Sequence, residues 1–138
     1  MFQRKAYGGL NARQKENYNF QKIAACLADC GFNCLRLTDD WHGADFLACH
    51  SERETVLRVQ IKGRMVIDRK SPGKSIHIAF RLDGDCYVYE HDALVQHVEK
   101  HGHIGPNAVL WHDSKGFRTW PRPPQWAHAF LAQYKLPG

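Results

Sequence analysis

Asp45, Gln60 and Lys62 are residues whose types and spacing could do chemistry together. Asp45 heads one apolar run, Asp45-Phe46-Leu47-Ala48, and the triplet Gln60-Ile61-Lys62 closes the next. A carboxylate, an amide oxygen and an ammonium on adjacent strands can hold a hard divalent cation and position a water beside it. That chemistry depends on the two runs being strands that lie side by side.

Both runs have the apolar–polar alternation of strands, and the polar Ser51–Thr55 segment between them is the break expected of a hairpin loop. Successive strand side chains point to opposite faces. Leu57, Val59 and Ile61 should therefore share one face, and Arg58, Gln60, Lys62 and Arg64 the other. On that polar face Arg58 and Arg64 could clamp phosphate by paired hydrogen bonds.

The remaining sequence supplies a frame. Asn11–Cys30 reads as a helix, with Phe20, Ile23, Ala24, Leu27 and Ala28 on one stripe and Gly31 at the C-terminal cap. Strands are expected at Phe32–Leu37, Ala44–His50, Val56–Lys62, Ser75–Arg81, Cys86–Tyr89 and Ala108–Trp111. Thr38–Gly43 and Asp68–Ser75 read as a turn and a charged loop, and Asp83-Gly84 as a hairpin turn. Ala93–Lys100 and Pro124–Tyr134 read as helices, the second with Trp126, Phe130 and Tyr134 four residues apart. The fold class is α/β, a mixed sheet flanked by helices.

At 138 residues the chain is expected to form a single domain, residues 1–138. Its net charge of +5 modestly favours a polyanionic partner. No apolar run approaches the length of a membrane span and no leader-like segment opens the sequence, so a cytoplasmic protein with reduced thiols is expected. Cys26, Cys30 and Cys34 fall four apart, but no Cys-x-x-Cys pair exists, which argues against a zinc site. His97 and His101 lack the Glu of a His-Glu-x-x-His motif and read as exposed helix residues.

The segment Gly43–Arg64, with Asp45 followed by Gln60-Ile61-Lys62, resembles the PD-(D/E)xK nuclease superfamily in the variant where Gln replaces the second acid. The phrases DWHGADFLA, LRVQIKGR and YVYEHDAL also resemble a group of small bacterial proteins. The superfamily likeness implies a restriction-endonuclease-like core of αβββαβ order, spanning Ala12 to Trp111. It implies Mg²⁺ or Mn²⁺ held by Asp45, Gln60 and the carbonyl of Ile61, with Lys62 assisting a water that attacks a phosphodiester. It further implies a carboxylate on the first helix, for which Glu16 is the candidate; a solvated helix face is the competing reading. Gly43 and Ala44 would let a bulky phosphate approach Asp45.

Arg69, Lys70 and Lys74 follow the triplet into a Pro-Gly loop and could reach flanking phosphates. The function expected is a metal-dependent endonuclease acting on DNA, in repair, recombination or defence against foreign DNA. It could act as a homodimer or as a subunit of a larger DNA-processing complex. The alternative is a non-catalytic nuclease-like domain that binds nucleic acid or a protein partner, because an amide at Gln60 brings no charge to a metal.

Overall fold

The computed structural model describes residues 1–68, 73, 75–103 and 116–138. Helix α1 (Ala12–Asp29) begins at a reciprocal cap. The Asn11 side chain accepts from the Gln14 N–H, and the Gln14 side chain accepts from the Asn11 N–H, both at 2.9 Å. These two bonds satisfy donors that a helix start otherwise leaves open. The helix stops at Gly31, whose φ of +87° suits glycine and where a Cβ would meet the His50 ring at 2.9 Å.

Three antiparallel strands follow: β1 (Phe32–Trp41), β2 (Ala44–His50) and β3 (Val56–Ile61). The turn expected over Thr38–Gly43 is a correction, since β1 runs on to Trp41. His42 and Gly43 alone turn the chain, with φ of +53° and +85°. A two-residue hairpin of type I′ needs positive φ at both central positions, and His-Gly supplies it. Asp83 and Gly84 do the same, at +52° and +86°, between β5 (Ile76–Leu82) and β6 (Asp85–Glu90).

Strands β1, β2, β3, β5 and β6 form one sheet in that spatial order, and only the β3–β5 pair within it is parallel. Strand β4 (Met65–Asp68) lies on the connection from β3 to β5 and pairs instead with β7 (Phe117–Trp120) in a small antiparallel sheet. Neither short strand is among those expected from the sequence pattern. Helices α2 (His91–His101) and α3 (Gln125–Ala132), with a 3₁₀ turn at Tyr7–Gly9 ahead of α1, complete the described elements. The mixed sheet flanked by helices is the expected class, although β4, β5 and β6 all come between β3 and the second helix. The strand expected at Ala108–Trp111 lies outside the described residues.

Each face of the sheet buries its own core. Ile23 and Leu27 of α1 pack on Phe46, Ala48, Val59, Ala79 and Val88. On the opposite face Met65, Ile67, Leu94, Val98, Phe130 and Leu131 pack on Ile76, Ile78, Phe80 and Tyr89. Tyr89 is fully buried there, and its hydroxyl is paired in both senses. It accepts from the Val66 N–H at 2.9 Å and donates to the Val66 carbonyl at 2.6 Å, which fastens the small sheet to the large one. Nearby, buried His91 accepts the Asp68 N–H at Nε2 (2.8 Å), with its Nδ1 3.1 Å from Asp92.

His97 corrects the expectation of an exposed helix residue. Its ring lies against Trp126 and Phe130 of α3, at 5.7 and 5.1 Å between centroids. At the far edge of the sheet the C-terminal segment lies along β6. Val88 N–H donates to the Tyr134 carbonyl and Leu136 N–H to the Cys86 carbonyl. Among the described residues no helix is long and apolar enough to cross a membrane.

Tyr89→Phe should destabilise the fold by about 2 kcal/mol, because it strands the buried Val66 N–H and carbonyl together. Urea unfolding of the two proteins checks this; equal midpoints would mean that the Val66 groups find other partners.

Candidate active site

The β2–β3 ladder ends at the pair Phe46↔Val59. One residue further along, Asp45 takes the place of a backbone partner: its Oδ2 accepts the Ile61 N–H at 2.8 Å. A half-buried N–H left without an acceptor would cost free energy, so the carboxylate is held where the strands part. On the other side Lys62 N–H donates to the Ala79 carbonyl at 2.9 Å. The triplet Gln60-Ile61-Lys62 is thus fixed from both neighbouring strands, and Asp45 is fastened to its middle residue.

Asp45 lines a cavity of about 900 Å³ shared with Glu16, Asn17, Arg36, Asp39 and Asp40. Burial pushes the Asp45 carboxyl above its ordinary range. The Ile61 N–H and the Lys62 ammonium pull it back, while Glu16 and Asp40 push it further up. The net shift is upward. Its other oxygen makes no hydrogen bond among the described residues.

Glu16 is on the cavity wall but is not idle there. Its carboxylate accepts from Arg36 at 3.0 Å, and Arg36 also donates to Asn17 at 2.7 Å and lies over the Phe20 ring at 5.0 Å. Arg36 is a residue the sequence reading passed over. Its signal was an arginine in register with Phe32 and Cys34, on the strand face that must pack against α1.

Two placements differ from the expected alternation. Lys62 lies one residue past the end of β3, and its side chain lines a second cavity with Tyr7, Asn19, Gly63, Arg81, Asp83 and Gly84. Asn19 belongs to α1, so Lys62 does not share a face with Arg58. Alternation holds only while the chain is extended, and it stops at Ile61. Gln60 remains within β3, half-buried and in register with Ile78 of β5. Continuing the β2–β3 register by one step sets it opposite Asp45.

The expected clamps are not gathered at Asp45. Arg58 lies over the Trp41 ring at 5.2 Å and lines a separate cavity with Asp40, His42 and Gly43. Arg64 is exposed on a bend after β3. Arg69, Lys70 and Lys74 lie outside the described residues. Ala44 does not open a path to phosphate either, because it is wholly buried. Among the described residues no group of three His, Cys, Asp or Glu side chains could hold a metal ion.

The raised Asp45 pKa has a consequence for stability. A carboxyl that binds its proton more tightly in the folded state stabilises that state fully below the unfolded pKa, near 3.8, and less as pH rises through the folded value. Ionised Asp45 is therefore a liability at neutral pH. Asp45→Asn keeps an oxygen for the Ile61 N–H and should raise the melting temperature at pH 7, relative to wild type, by more than it does at pH 3.5. A difference independent of pH would show that the carboxyl is not perturbed.

No protein-family model and no curated protein matches the sequence. Among solved structures the chain is similar to a bacterial homing endonuclease, I-Ssp6803I. The two are 15% identical, with 90% of this chain and 94% of that chain covered, at a TM-score of 0.49.

Proposed function

We propose that the protein is a metal-dependent nuclease that hydrolyses phosphodiester bonds in DNA. The observation that carries this reading is the hydrogen bond from Ile61 to Asp45, which joins the aspartate to the centre of the Gln-x-Lys triplet. Separated in sequence, the two motifs meet at one point where β2 and β3 diverge.

The donors present fit a hard, oxygen-seeking ion that retains most of its water. Asp45 has an oxygen free of hydrogen bonds among the described residues, the Gln60 amide and Ile61 carbonyl are neutral oxygen donors, and Glu16 and Asp40 add negative potential. Mg²⁺ or Mn²⁺ bound there would polarise the phosphate and activate a water. Lys62, whose charge is felt at Asp45, would orient that water or offset charge growing on the scissile phosphate.

One observation favours a second reading, a nuclease-like domain that binds nucleic acid or a protein without cutting. Glu16 is engaged by Arg36 at 3.0 Å, which leaves Asp45 as the carboxylate at the triplet with no ion-pair partner among the described residues. Calorimetry separates the two readings: the nuclease must take up Mg²⁺ or Mn²⁺ at millimolar concentration.

Labelled DNA and RNA substrates incubated with Mn²⁺ test the activity directly. Asp45→Ala and Lys62→Ala should each lower cleavage by about 10²-fold or more, with circular dichroism unchanged. Full activity in either variant would remove that residue from the chemistry. Gln60→Glu should keep or raise Mg²⁺ affinity and Gln60→Leu should weaken it; equal affinity in wild type and Gln60→Leu would take Gln60 out of the site.

A further inference from the structure

The second cavity, beyond Lys62, is lined by two cations that form no ion pair among the described residues. It measures about 240 Å³, below the roughly 300 Å³ at which drug-sized ligand sites begin, so it suits a small group. Lys62 and Arg81 both line it, and neither forms an ion pair among the described residues. Arg81 donates to Asn19 Oδ1 at a long 3.4 Å, and its buried Nε has no oxygen or nitrogen partner among the described residues, only the Cys86 thiol nearby. The Cys86 thiol beside it does not supply an anion, because burial holds that thiol up at about 11. A buried guanidinium donor that meets only a neutral thiol is poorly compensated, and an anion would complete it better.

The surroundings fit the same ligand. Asn19 donates to the Tyr7 oxygen at 3.0 Å, which leaves the Tyr7 hydroxyl proton available to a ligand. Asp83, the acid on the cavity wall, is already paired with Arg122 at 2.9 Å. The Tyr7 and Tyr18 rings lie 5.3 Å apart, with Lys15 over the first and both Lys22 and Arg81 over the second. Cations interleaved with aromatic rings are a surface on which nucleic-acid backbones settle. Lys62 stands between the two cavities, lining this one and acting electrostatically on Asp45 in the other.

We propose that this cavity is a phosphate subsite, in which Arg81 and Tyr7 receive a nucleic-acid backbone phosphate adjacent to the one handled at Asp45 and Lys62. The nucleic-acid source of that phosphate rests on the nuclease reading; the anion chemistry of the cavity stands apart from it. Arg81 is a positioning residue: it fixes where the strand lies and takes no part in bond cleavage.

The test is run without metal, in EDTA, so that binding is read independently of cutting. Inorganic phosphate should raise the melting temperature of wild type above a chloride control of equal ionic strength, and Arg81→Gln should lose that shift. In a salt series with a DNA duplex, Arg81→Gln should weaken affinity on the order of tenfold and lower the slope of log affinity against log salt by about 0.9. Asn19→Asp, which sets a carboxylate beside Arg81, should weaken binding even if Arg81→Gln does not fold. Unchanged affinity in the folded variants would overturn the subsite. A phosphate shift with no change in DNA binding would overturn the nucleic-acid assignment. A protein that cuts DNA but ignores these substitutions sinks the subsite alone; one that cuts nothing yet responds to them sinks the nuclease reading alone.

Discussion

Where two antiparallel strands separate, the backbone groups that faced each other lose their partners, and one of them here is the Ile61 N–H. The Asp45 carboxylate supplies the missing acceptor, and the arrangement of the site follows from that single bond. A side chain can bridge a gap that a backbone carbonyl cannot, so the strands diverge without leaving a buried donor unpaired. The same bond sets a negative charge in a half-buried place near two other acids. Such a charge is tolerated because it is hydrogen-bonded, and it is worth more to a cation there than it would be in water.

The chain then divides its electrostatics. On one side of Lys62 lies a cavity walled by Glu16, Asp39, Asp40 and Asp45; on the other lies one walled by Arg81, Tyr7 and Asn19. The first also carries Arg36, paired with Glu16, and the second Asp83, paired with Arg122, and α1 forms part of both walls. The helix therefore serves two purposes. Ile23 and Leu27 bury its apolar stripe, while Glu16 and Asn19, on its rim, face the two cavities.

Much of this was legible in the sequence because it rests on local patterns. The period of Ile23, Leu27 and their neighbours marks α1, strict alternation marks β3, and Asp83-Gly84 marks a turn. What escaped is what depends on tertiary partners. Met65-Val66-Ile67 is buried on every side and too short to show a period, and its partner strand Phe117–Trp120 lies far along the chain. Thr38-Asp39-Asp40 reads as a turn by composition, yet it stays extended because His42 and Gly43 can turn the chain unaided. The pairing of Asp45 with the triplet could be anticipated. The side on which Lys62 emerges could not, since it is decided by where β3 ends.

The five-stranded sheet has two border strands, β1 and β6, and the chain treats them differently. Along β6 the last residues of the chain lie against the border and take up its backbone groups at Cys86 and Val88. Along β1 nothing among the described elements does so, and ten residues of strand face outward. The defence there is irregularity. The β1–β2 register breaks between Arg36 and Trp41, and the intervening stretch carries Asp39 and Asp40. A kinked border bearing adjacent acids is a poor template for a foreign strand. Asp40, which lends negative potential to Asp45, thus also helps keep the sheet from growing sideways into an aggregate.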